Sequence, residues 1–204
     1  MSISSVPTPD AKSARILDSS LPVFCTYGFQ KTSMQDIARA AGMSRAALYL
    51  HFANKEDVFR SGAVRTHAAV MGRVEAELGQ PGDVFERIEA ALVAYFEGLV
   101  EQIAASPHGA ELFDASAELV GDVVLGARRR LIDLLRDALG AAERRGEIHL
   151  SGIATASAEL AVLLLATVDG VKAQRSALLP VRPGIVLQLR LLRAAIQPAA
   201  AACV

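Results

Sequence analysis

Residues 32–59 read TSMQDIARAAGMSRAALYLHFANKEDVF, and the punctuation of this stretch constrains the fold more than anything else in the chain. Thr32 with Gln35 three residues on has the form of a capping box, which predicts a helix start there. Met34, Ile37, Ala38 and Ala41 follow at i, i+3, i+4 and i+7, the apolar stripe of a short helix packed inward. Gly42 is the residue that enters a left-handed turn at least cost and so marks the end of that helix. Ser44, two residues later, can cap a second short helix over 45–51. Asn54, followed by Lys55, Glu56 and Asp57, opens a third with acids at its positive end. Two short helices joined by a tight glycine turn leave the second free to project from the surface.

Taken together, the order T-S-M-x-D-I-A-x-A-A-G-M-S-R-x-x-L-Y-x-H-F-x-N-K-E-x-x-F resembles the signature of the TetR/AcrR family of bacterial one-component repressors. The upstream pattern from Arg15 to Phe29, with Phe24 and Gly28 in place, extends the resemblance over about residues 10–60. It implies a DNA-binding domain over 1–54 and a ligand-binding and dimerisation domain over 55–204. It also implies roles for single residues. Thr32 and Ser33 would meet a phosphate at the start of the second helix. Arg45, Ala46 and Ala47 would face base edges, Tyr49 and His51 would hold phosphates, and Lys55 would add a phosphate contact. Two positions depart from the family pattern. Pro22 lies inside the first helix, where it should kink the chain, and Leu50 stands at a place that is commonly polar.

Composition agrees. The chain has 204 residues, enough for a sizeable core, is 52% hydrophobic, and shows no sustained alternation of β-branched residues, so an all-α fold is expected. The formal net charge of −1 excludes a general polyanion binder. That charge is uneven, with nine Lys and Arg against five Asp and Glu over residues 1–73 and twelve against seventeen downstream. A basic head on an acidic body suits a site-specific DNA binder, because phosphate attraction supplies much of the affinity. The two cysteines, Cys25 in a predicted helix and Cys203 in the tail, imply no disulfide framework. The longest apolar run, 160–168, is too short to span a bilayer, and the N-terminal stretch has no signal-peptide core, so a cytoplasmic location without membrane contact is expected. The four histidines have no metal-ligand spacing, and neither metal nor cofactor is expected.

Downstream, about nine helices are predicted in all. The fourth runs over 55–78, the fifth over 83–105, a short sixth starts at Pro107, a long seventh reaches 145, the eighth covers 153–175 and the ninth 183–196. Residues 146–152 form a connector, and the tail after Pro198 should fray. The last two helices are apolar on more than one face, which predicts burial against a second copy through Leu160, Leu164, Val168, Ile185, Leu189, Leu192 and Ile196. The family resemblance implies a small-molecule cavity enclosed by the fifth to seventh helices, with the fourth as connector. Candidate lining residues are His67, Met71, Phe85, Tyr95, Phe96, His108, Phe113 and Asp169, a mix of apolar wall and few polar groups. Asp169, after a run of nine residues in which only Thr167 is polar, needs a partner, and Lys172 is within reach of it.

The resulting expectation is a homodimeric repressor that binds double-stranded operator DNA and leaves it when a small molecule binds. Two other classes stand beside it. An all-helical enzyme has no motif to support it, since neither a nucleophile elbow nor a phosphate loop is present. A helical adaptor that binds protein through its C-terminal helices would show only weak, salt-sensitive DNA binding.

Overall fold

The computed structural model describes residues 11–104, 106–174 and 179–197, with the side chains of 97–102 and 104 left aside. Cys203, the tail from Pro198 and the predicted helix end at Arg175 lie outside the described residues. Every regular element described is helical. In chain order these are α1 (Ala11–Tyr27), α2 (Met34–Ala40), α3 (Arg45–Tyr49), α4 (Lys55–Leu78), α5 (Val84–Ala104), α6 (Gly109–Arg144), a 3-10 turn (Leu150–Ile153), α7 (Ser157–Gln174) and α8 (Val181–Ile196).

The expected short sixth and long seventh helices follow one another within α6, which is broken at Val120, where the backbone (φ −135°, ψ 16°) leaves the helical region. The last turns also begin elsewhere than expected. Ile153 closes the 3-10 turn, Ala154 enters the left-handed region, and α7 begins at Ser157, where Glu159 accepts the Ala156 N–H at 3.0 Å. Pro22 does not divide α1. It sits on the exposed side, whereas Ile16, Leu17, Val23 and Phe24 are buried.

Two compact units result, and the boundary between them differs from the expected 54/55 division. One contains the described residues up to His67 together with Val100–Val124; the other contains Ala68–Leu99 and the described residues from Leu125 onward. The first unit is built around Ile16, Phe24, Ile37, Leu48, Val58 and Leu112. Phe24, Phe29 and Phe59 form an aromatic trio with ring centroids 5.3–5.7 Å apart, arrangements worth more than their buried area alone.

The second unit takes its core from α4, α5, α6, α7 and α8. Leu160, Leu164, Val168, Ile185, Leu189 and Ile196 are buried in this core, and Leu192 packs against it. The seven leucine-rich positions expected at a subunit interface are thus covered within their own chain. The surplus lies on the opposite faces, where Val162, Leu163, Leu187 and Leu191 are exposed.

Candidate nucleic-acid interface

The α2–turn–α3 segment is held by short-range chemistry. The capping box is shifted by one residue from expectation: Ser33, not Thr32, is the N-cap of α2, and Asp36, not Gln35, returns the bond. Both bonds to Ser33 hold the Asp36 carboxyl below its ordinary range, the hydroxyl most of all. Thr32 is buried, and its hydroxyl donates to the Gly28 carbonyl at 2.6 Å. That group is committed inside the protein, which removes it from the expected phosphate contacts. Gly42 adopts φ +66° to end α2, and the Ser44 hydroxyl accepts the Ala47 N–H at 3.1 Å to begin α3.

On α3 the core side is Leu48, fully buried. Arg45, Ala46 and Tyr49, with Leu50 at the C-cap, fall at i, i+1, i+4 and i+5 and are all exposed. Ala47 is only partly so. The Arg45 guanidinium donates to the Tyr49 hydroxyl at 3.2 Å and lies 5.5 Å from the centre of its ring. One turn of helix therefore presents a positioned cation and an aromatic ring side by side. His51 is half-buried, with Nδ1 3.2 Å from the Ser13 hydroxyl, which ties the end of this segment to the first turn of α1.

Lys55 is placed otherwise than as a simple surface charge. Its Nζ donates to the carbonyls of Phe29 and Gln30, each at 2.9 Å, and sits 4.7 Å from the centre of the Phe29 ring. Glu111 on α6 approaches the same turn and accepts the Gln30 N–H at 2.7 Å. Ser106 adds a bond to the Cys25 carbonyl at 2.7 Å. The α1–α2 connection is thereby gripped by side chains 25 to 81 residues away, which local sequence patterns cannot show. Burial raises the Cys25 thiol above its ordinary value, consistent with an unreactive, half-buried position.

The eight expected ligand-contacting residues divide between the two units. His67, His108 and Phe113 belong to the first, the others to the second. Within the second unit Tyr95 and Phe96 meet edge to face at 5.1 Å, and the Asp169 carboxylate pairs with Arg128. Arg128 thus takes the place expected for Lys172, whose ammonium instead lies 5.8 Å from the centre of the Phe96 ring. Burial, then the Asp169 charge, raises the Tyr95 hydroxyl, and Arg128 partly offsets this. Phe85 and Met71 are core residues, and the Arg193 guanidinium covers the Phe85 ring. Sequence reasoning missed a cleft of about 550 Å³ in the first unit, lined by Phe29, Gln30, Ala115 and Leu119 with the carboxylates of Glu56, Glu111, Asp114 and Glu118. Its only local signal is the acidic stripe Glu111, Asp114, Glu118 at helical spacing. Among the described residues, no group of His, Cys, Asp and Glu could hold a metal ion. No helix among them is long and apolar enough to cross a membrane.

An all-helical chain whose α2 and α3 form a capped helix-turn-helix, with a basic and aromatic face turned outward, defines the class of helix-turn-helix proteins. Comparison with known proteins narrows the class. Residues 16–61 match the family of bacterial regulatory proteins described as tetR. The chain is 33% identical over 129 residues to the uncharacterised regulator YezE of Bacillus subtilis, covering 53% of this chain and 64% of that protein. It is 35% identical over 89 residues to the regulator AcrR of Shigella flexneri, covering 43% and 41% of the two chains. These alignments thus span less than two thirds of the length of either relative. The solved structure of SmeT, the repressor of a multidrug efflux pump of Stenotrophomonas maltophilia, superposes with a TM-score of 0.67 over 94% of this chain and 93% of its own, at 22% identity. Residues 16–61 are thus similar to the tetR family of bacterial regulatory proteins, and the chain shares the fold of SmeT.

Proposed function

We propose that this chain is a sequence-specific DNA-binding transcriptional repressor that acts as a homodimer in the cytoplasm and is released from its operator by a small molecule. The observation that carries the proposal is the exposed face of α3, where Arg45 and Tyr49 are held together on a helix whose opposite side is locked into the core. A fixed guanidinium beside an aromatic hydroxyl suits one base contact and one phosphate contact in a major groove. Ser33, Ala46, Ala47 and His51 complete the proposed contact set. Lys55 joins it through the donor that the Phe29 and Gln30 carbonyls leave over.

Two further observations support the regulatory part. The outward apolar faces of α7 and α8 favour a two-fold partner, which would set two reading helices at fixed spacing. The Tyr95, Phe96, Arg128 and Asp169 cluster combines aromatic wall with a few polar groups, the mixture that small-molecule sites use. One such neighbour, SmeT, has been solved as a complex with triclosan. Ligand and operator would then oppose one another by linkage, each lowering affinity for the other by the same factor. The proposal assigns no catalytic step to any residue.

The test begins with selection of duplexes from a random pool by the full chain. Against the selected duplex, Arg45→Ala should lose roughly 1–3 kcal/mol at one base pair and relax preference there. Tyr49→Phe should weaken binding evenly across sequence variants. Enrichment of no sequence, with only weak salt-sensitive association, would overturn the proposal in favour of a protein-binding adaptor.

A further inference from the structure

Leu50 is the most exposed large hydrophobic side chain among the described residues, 85% accessible at the C-cap of α3. Nothing in its own unit covers it, whereas Leu48 two residues earlier is wholly buried. The helical spacing places it on the surface shared by Arg45, Ala46 and Tyr49. A protein partner would be expected to meet an apolar patch with apolar surroundings. The same turn of helix instead carries the exposed guanidinium of Arg45, with Arg39 also exposed on α2, in the part of the chain that carries the surplus of basic residues. The partner complementary to such a surface is an anion that carries isolated apolar groups. Double-stranded DNA fits, because the only apolar group it offers in the major groove is the 5-methyl of thymine.

We infer that Leu50 is a specificity-determining residue that reads a thymine methyl group in each operator half-site, with Ala46 leaving the room for that approach. The inference rests on the DNA-binding function proposed above and names the chemistry of its target. Leu50 takes no hydrogen bond with a base, so its selectivity lies in the methyl carbon alone. Thymine is accepted, and uracil, identical on its hydrogen-bonding edge, is penalised. Arg45 supplies the hydrogen-bonded part of the readout within the same helical turn, so the two contacts fall on neighbouring base pairs.

The experiment removes one carbon group from each side. The wild type and Leu50→Ala are titrated against the duplex selected by the wild type, in which each thymine in turn is replaced by uracil in both half-sites. At one position the wild type should lose about four-fold per half-site, the factor that burying one methyl group implies. Leu50→Ala should bind more weakly and be indifferent to that replacement. An unchanged melting temperature, expected for so exposed a side chain, keeps the variant interpretable. If uracil costs nothing anywhere while the selected duplex stays tightly bound, the inference is overturned and the DNA-binding function stands. A penalty that persists undiminished in Leu50→Ala overturns it as well, since another side chain then reads the methyl. Failure to select any duplex overturns the function itself, and the inference with it.

Discussion

His67 is buried on α4, and its Nδ1 has no hydrogen-bond partner among the described residues. Burial holds its imidazole below the ordinary histidine range, so the folded chain keeps it neutral. As pH falls through about 6.5, the unfolded chain takes up a proton that the folded one refuses. The stability present above that pH is lost progressively below it. The urea midpoint of the wild type should therefore fall between pH 7.5 and pH 5.5 more steeply than that of His67→Leu, and parallel profiles would exclude His67 as the source. What was legible in the sequence at this scale is whatever chemistry lies between near neighbours. Gly42, Ser44 and Asn54 act as expected because their partners are two or three residues away. The intramolecular partners of Lys55 and Asp169, the Phe29 and Gln30 carbonyls and Arg128, were not legible because they are 25 to 41 residues distant. Thr32 and Ser33 both suit an N-cap, and only the Thr32 bond to Gly28 decides between them.

Among the elements, α6 joins the expected short and long helices across a break. Its break falls at Val120, where no proline enforces it, and the reason is on α4. Arg60 donates to the Leu119 carbonyl at 2.7 Å and grips both oxygens of Asp122 at 2.7 and 2.6 Å. The guanidinium donates to the carbonyl that precedes the break and binds the carboxylate two residues beyond it. This arrangement brings the Asp122 carboxyl down to about 2 from an ordinary 3.8. The pair's contribution is present above pH 3.8 and fades as pH drops toward 2. In Arg60→Gln, the Asp122 titration followed by carboxyl NMR should return toward its ordinary midpoint, and retention of the low value would show that the break itself, not Arg60, sets it. A short helix from Pro107 followed by a long one was legible in the sequence; that the break falls at Val120 was not, because its contact lies 59 positions earlier.

At the level of the whole molecule, the all-helical class was legible because composition and period pointed the same way. The sidedness of α7 and α8 was not, since both faces are apolar and only packing decides which turns inward. Residues 160, 164 and 168 went in and 162 and 163 stayed out. This choice determines where a dimer test must be aimed. Leu189→Glu would strike the chain's own core, whereas Leu191→Glu alters a side chain that is 64% exposed. If the outer face joins two copies, Leu191→Glu should sediment as a monomer at micromolar concentration with a melting curve typical of a folded chain, because the charge is buried twice in a symmetric pair. A wild type that is itself monomeric would rule out that interface.

The first unit is discontinuous, and this has a consequence for synthesis. Its core contains Leu112 and Ala115, which leave the ribosome long after α1, α2 and α3 have been made. Nascent chains that end before α6 lack the side chains that close the space around Phe24, Leu48 and Val58. The helix-turn-helix therefore completes its packing only after residue 115 has emerged. Until then its apolar face is uncovered, and a gene fragment cut after residue 67 would yield an unfinished head.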